Sequence, residues 1–198
     1  MIADGLHDLP PGKNAAVVTH LEMRAPAPLR PVPMPEGVTL ERVASPAPDW
    51  YRDLFRRVGA DWLWFSRLRE DDARLGAILD SPEVEVFALV RGGRAEGLME
   101  LDFRVKGACE LAFFGLTPTL IGTGAGRALM NAAIERAWAR PIALFHVHTC
   151  TNDSPGALGF YRRSGFVPVR QQVEVADDPR LTGDLPREAA PHLPLIEG

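Results

Sequence analysis

Through the middle of this chain apolar and polar residues exchange places at every second position. Alternation over Glu83–Val90 and again over Ala95–Val105 predicts two half-buried strands. Gly92-Gly93 between them supplies a tight hairpin turn that needs positive φ. Lys106-Gly107 turns the chain into a third run, Ala108–Leu116, so an antiparallel meander is expected. Upstream the period lengthens to that of a helix. Trp50/Tyr51, Leu54, Phe55 and Val58 share one face between Ser45-Pro46 and Gly59. Leu68, Leu75, Ile78 and Leu79 predict a second helix from about Ser66 to Asp80, stopped by Ser81-Pro82.

Either side of this block the pattern continues. Asn14–Met23 reads as an edge strand and Val38–Val43 as a first core strand. Between them Ala25–Pro35 holds five prolines, an extended linker. Downstream, Gly124–Ala139 is a long helix with Leu129, Ala132, Ala133 and Ala137 on one side, ended by Pro141. Ile142–Thr149 is then a strand, parallel to Ala108–Leu116 because a single helix connects them. A helix from Ser154-Pro155 to Gly165 and a strand at Phe166–Val175 complete the domain, expected over residues 14–175. Residues 1–13 read as a flexible arm. Residues 176–198 form a tail without clear periodicity, although Leu193-Pro194-Leu195-Ile196 is apolar enough to fold back.

Composition changes this picture little. The 198 residues are 46% hydrophobic and 24% charged, enough for one ample core. A net charge of −4 argues against a nucleic-acid partner. Nothing has the apolar length of a membrane span, and Met1–Pro11 lacks a secretory pattern, so a cytoplasmic location is expected. Cys109 and Cys150 make no disulfide framework.

The chemistry concentrates in Glu110–Met130. An apolar strand is broken at Thr117-Pro118, and Gly122, Gly124 and Gly126 then lead into a helix. Such a turn binds anions: backbone N–H groups point outward, the helix dipole favours negative charge, and absent side chains permit close approach. No Gly-Lys-Ser/Thr follows, which excludes a P-loop, and a dinucleotide fingerprint would need a small residue where Arg127 or Leu129 stands.

At this point the sequence resembles the GNAT superfamily of acyl-CoA-dependent N-acetyltransferases. The family's Gln/Arg-x-x-Gly-x-Gly/Ala signature falls on Ile121–Gly126, matching at both glycines and departing at Ile121. The family's Ala-x-x-Phe-Tyr-x-x-x-Gly-Phe pattern falls on Ala157–Phe166, with Asn152 ahead of it. The resemblance implies an α/β (α+β) GNAT fold, a mixed, mostly antiparallel sheet of six to seven strands flanked by helices. It implies acetyl-CoA as co-substrate and direct transfer to an amine on a small molecule or protein. The cradle would comprise Leu116, Thr117, Ile121, Gly122, Thr123, Gly124, Ala125, Gly126 and Arg127, with Asn152 on the pantetheine arm. Tyr161 would protonate the departing thiolate. Glu110 would be the general base, placed by period two on the face of Leu116, with Glu100 as substitute. Trp62, Trp64 and Phe65 would line the acceptor site; the acids Asp61, Glu70, Asp71 and Asp72 near its entry would suit a cationic amine, although exposed acids on a helix are usually only a solvated face. The Ile121 departure keeps open a non-catalytic acyl-CoA sensor, and a dimerisation module is a further alternative; a homodimer fits any of these. His146 and His148 share a strand face but lack a third ligand, so no metal site is expected. Cys150 reads as an inert thiol rather than a nucleophile.

Overall fold

A computed structural model describes residues 3–197. Seven strands form one sheet: β1 (Lys13–Met23), β2 (Val38–Val43), β3 (Val84–Arg91), β4 (Arg94–Asp102), β5 (Ala108–Leu116), β6 (Leu144–Cys150) and β7 (Val167–Asp177). Their spatial order is β2-β3-β4-β5-β6-β1-β7. Neighbours are antiparallel except β5 and β6, which run parallel over three residue pairs only, Ala108↔Leu144 to Glu110↔His146. Beyond Glu110 the two strands part. The expected meander and the parallel crossover are both present.

Helices cover both faces. α1 (Pro48–Gly59) and α2 (Asp72–Leu79) lie on one, and α3 (Ala125–Trp138) and α4 (Ala157–Arg163) on the other. Each face has its own apolar cluster. Tyr51, Leu54 and Phe55 pack on Val86 and Leu98 on the first; Leu129, Met130 and Ala133 pack on Met99, Leu101 and Phe145 on the second. β4 lies under both, which is why eight of its nine residues are buried.

Several expectations are corrected. β1 is internal, not an edge, because β7 pairs with it along ten residue pairs. The sheet's edges are β2 and β7. The helix expected over Ser66–Asp80 divides into a 3-10 turn at Ser66–Leu68 and α2, because the Asp71 carboxylate accepts the Arg74 N–H and caps a new helix there. α1 and α4 begin two residues or more after their expected starts, α1 with Pro48 in its first turn. Finally, β5 carries a bulge: Glu100 opposes Phe113 while Leu101 opposes Leu111, leaving Ala112 extra. The bulge reverses the alternation. Glu110 therefore lies on the α1 side with Phe113, while Leu116 packs on the α3 side, and the two do not share a face.

The C-terminal tail is built in. Leu185, Ala189 and Ala190 enclose Leu63 in a third apolar cluster, with Leu193 against it. Arg180 holds the tail from within, pairing with Asp178 at 2.7 Å and donating to the Leu193 and Pro194 carbonyls at 3.0 Å each. Ile196 stays exposed; only its carbonyl is used, accepting the Gly12 N–H at 2.9 Å.

Candidate active site

Where β5 and β6 diverge, a cavity of about 770 Å³ opens between the glycine turn and the loop following α1. At one end is the strand–turn–helix unit. Gly122 (φ +79°) and Gly124 (φ +93°) occupy left-handed backbone that glycine adopts without strain. Among the described residues the N–H groups of Gly122, Gly124 and Gly126 have no hydrogen-bond partner, whereas those of Ile121, Thr123 and Ala125 do. A Cβ on Gly122 would meet nothing within 4 Å. The turn is thus an open row of donors at the start of α3. Arg127 and Arg163 also line this end. Burial holds the Arg127 guanidinium below its ordinary value, and the nearby charges of Arg30 and Arg163 add to the shift. Arg30 comes from the proline-rich linker, fastened by its backbone to the Asn131 amide. This end fits a phosphate-bearing group.

Of the residues expected in the cradle, Leu116, Ile121, Gly122, Gly124, Gly126 and Arg127 line the cavity. Three do not. Thr117 is buried with its hydroxyl on Glu96, Thr123 donates to the Leu120 carbonyl, and Ala125 lies in the core. The exposed Ile121 brings no side-chain donor. Asn152 lines the cavity, with its amide donating to Asn14 at 2.7 Å.

Tyr161 and Glu110 also line this cavity, Glu110 at the last paired position of β5 with β6. Gly165 (φ +102°) ends α4, and Tyr161 is wedged by edge contacts to Phe114, Phe160 and Phe166. Only 7% of the residue is exposed; its hydroxyl makes no hydrogen bond among the described residues but is not fully buried. Burial, with the Asp153 charge, pushes its pKa well above that of a free phenol. Glu110 meets His148 at 3.4 Å. That contact holds the Glu110 carboxyl below its usual range, against burial, and raises the His148 imidazole above its own.

Glu100 is not in the cavity. It is 0% exposed and sealed between the Tyr51 hydroxyl and Arg67. Cys150 has its thiol pushed up to about 11 by burial first and then by Asp153, which makes it a poor nucleophile at neutral pH. Among the described residues no group of three metal-ligating side chains is assembled; His148 is turned to Glu110 instead.

The far end is aromatic. Trp62, Trp64 and Phe65 all line it. Trp64 packs on Phe55 and Phe113, and its indole N–H donates to Asp153 at 3.2 Å, tying this loop to the end of β6. Between the tryptophans Leu63 adopts φ +53°, an unfavourable conformation for leucine, compensated by its burial against the tail. Phe65 lies under the Arg69 guanidinium at 4.1 Å. Of the acids named near the entry, Asp72 pairs with Arg52, Glu70 pairs with Arg74, and Asp71 caps α2. Sequence reasoning overlooked Arg67 and Asp102, which also line the cavity. It likewise gave Asp153 no part in the site, whereas its carboxylate accepts hydrogen bonds from Thr149, Cys150 and Trp64.

Comparison with known proteins agrees with this arrangement. The family model described as the Acetyltransferase (GNAT) family matches residues 46–166, well over half of the chain. No curated protein matches it. Among solved structures the chain is similar to a GCN5-related N-acetyltransferase from Sphaerobacter thermophilus (16% identity, TM-score 0.63, 84% of this chain and 53% of that one). It is also similar to one from Kribbella flavida (21%, 0.51, 87% and 63%). An aminoglycoside acetyltransferase from an uncultured soil metagenomic sample, solved with sisomicin, matches at 16% identity and TM-score 0.53, over 65% of this chain and 87% of that one. At these identities the likeness shows the fold alone, and the chain spans only about half the length of the Sphaerobacter protein. No helix among the described residues is long and apolar enough to cross a membrane. A family match over most of the α/β core, on a sheet splayed at a glycine-rich turn, settles the classification: this chain belongs to the GNAT family of acetyltransferases.

Proposed function

We propose that this chain transfers an acetyl group from acetyl-CoA directly to an amine. The observation that carries the reading is the row of unpartnered glycine N–H groups opening into the same cavity as Tyr161 and Glu110. In this reading the Gly122–Gly126 backbone, Arg127 and Arg163 hold the pyrophosphate end, and Asn152 meets the pantetheine arm. Glu110 removes a proton from the acceptor ammonium. Tyr161, kept protonated by burial, gives its proton to the departing thiolate. Trp62, Trp64 and Phe65 form the acceptor wall. Aromatic faces in the same cavity as Glu110 favour a cationic acceptor; the aminoglycoside acetyltransferase of the same fold motivates including polyamines among candidates.

A second reading rests on Ile121, which leaves the cradle without the side-chain donor expected there: an acyl-CoA sensor without turnover. Free-thiol release from acetyl-CoA across a panel of aminoglycosides, polyamines, amino acids and lysine peptides separates the two. Amine-dependent release supports the enzyme. Binding of acetyl-CoA with no release for any amine supports the sensor and refutes catalysis.

A further inference from the structure

A second cavity, of about 500 Å³, adjoins the first and is lined by His20, Glu22, His146 and Arg170. The two share only Glu110, Val147 and His148. Glu110 and His148 are thus the polar part of the wall between the acceptor site and a chamber of histidines on the open part of the sheet. His148 Nδ1 lies 3.4 Å from Glu110 Oε1, and the His148 side chain is 49% exposed. Its ring centroid is 5.8 Å from that of His20, whose Nε2 contacts the Gln172 side-chain oxygen at 2.7 Å.

The proposed reaction requires a way out for one proton. An ammonium acceptor becomes an amide and loses two protons from nitrogen; the departing thiolate takes one, through Tyr161, and the other leaves for solvent. We propose that His148 is the exit relay, taking from Glu110 the proton removed from the acceptor and releasing it into the histidine-lined cavity. No oxidant or additional reactant is involved. The carboxylate is restored by transfer to Nδ1, and the imidazolium is discharged through Nε2 to water or His20.

The inference rests on the reading of Glu110 as base, and it explains how that base works. A carboxylate paired with imidazolium is a weak base; the same carboxylate beside neutral imidazole can pass its proton on. The active form is therefore the one with His148 neutral. The groups facing His148 are Glu110 on β5, Asp153 after β6, Glu174 and Arg170 on β7, His20 and Glu22 on β1, and His146 on its own strand. The hydrogen bond to Glu110 raises its pKa; burial opposes this, and the Glu110, Asp153 and Glu174 charges reinforce it. The acid limb of kcat/KM should therefore fall above the ordinary imidazole value of 6.5, not in the carboxylate range.

The test uses the full chain, with His148→Ala, His148→Gln and Glu110→Gln variants. NMR titration of His148 without acceptor should give a pKa above 6.5 that moves down in Glu110→Gln. An unchanged value overturns the coupling. In weak buffer His148→Ala should lose about 10²-fold in kcat with acetyl-CoA affinity intact. Added imidazole should restore the rate in proportion to its concentration, since the site is open to solvent. If His148→Ala does not fold, His148→Gln should show the same loss and lose the acid limb above 6.5. Wild-type turnover in a folded His148 variant, or a loss that imidazole does not repair, overturns the relay. If Glu110→Gln abolishes turnover while the His148 variants keep it, the relay alone fails; if Glu110→Gln is also active, the base assignment fails with it.

Discussion

Tyr161→Phe is the perturbation whose two consequences the structure separates most cleanly. The phenyl ring keeps the edge contacts to Phe114, Phe160 and Phe166, which lie at centroid distances of 6.3, 5.9 and 6.0 Å. The hydroxyl has no partner among the described residues, so no hydrogen bond is lost and no buried group is orphaned. Stability should change by no more than about 0.5 kcal/mol. The glycine turn is untouched, and acetyl-CoA affinity should stay within about twofold, a few tenths of a kcal/mol. Chemistry should suffer alone. Loss of a positioned general acid costs about 10²–10⁴-fold in rate, which corresponds to about 3–5 kcal/mol of transition-state stabilisation. The assay is steady-state thiol release on a responsive amine, with thermal melts and calorimetric acetyl-CoA binding on the same samples. A folded variant with wild-type kcat would make Tyr161 a packing residue. A variant that unfolds or no longer binds acetyl-CoA would show that the hydroxyl does structural work the geometry does not record.

Glu110→Gln should lower turnover with acetyl-CoA binding intact, most severely at low pH where deprotonation of the ammonium limits the rate; a normal pH profile of kcat would exclude Glu110 as base. Arg180→Ala leaves Asp178 buried without its cation, a loss of about 3–5 kcal/mol, and should free the tail from Leu63. The acceptor KM should rise several-fold while the acetyl-CoA KM holds, and equal changes in both would contradict a local effect on the acceptor loop. Acid should destabilise the fold. Burial works against the Asp178 and Asp102 carboxyls, but hydrogen bonds from Arg180 and Arg104 hold both below the ordinary 3.8. Their stabilisation is present above that value and lost as pH falls through the lower folded values. Tm should therefore drop as pH falls below about 4, and a Tm that stays flat from about pH 5 to pH 2 would contradict these pairings.

Much of the fold was legible because it is written in short-range signals. The Gly92-Gly93 hairpin, the glycine turn and the stop at Pro141 each act through local backbone geometry, and the meander, the crossover helix and the parallel strand follow from them. What escaped was set by register and long-range pairing. Nothing local in Ala112 announces a bulge, yet that one residue moved Glu110 to the opposite face from Leu116. β1 reads as an edge strand by itself; its place between β6 and β7 depends on strands more than 120 residues away. The tail lacks periodicity because it is organised by one buried arginine donating to backbone carbonyls rather than by an apolar stripe. The candidate site divides the same way. Its glycines and Tyr161 sit in motifs, whereas Asp153, Arg67 and the Glu110–His148 contact exist only once the strands are assembled.

The most direct test of the account is calorimetric titration of acetyl-CoA into the wild-type chain and into Gly124→Val. Gly124 stands at φ +93° at the start of α3, where a β-branched side chain is strained, and its added Cβ would come within 3.5 Å of the Val32 side chain. Wild type should bind one acetyl-CoA per chain, and the folded variant should lose at least about tenfold in affinity, 1.4 kcal/mol or more. No binding by wild type at millimolar acetyl-CoA, or equal binding by the folded variant, would contradict the assignment of the glycine turn as the acyl-CoA cradle.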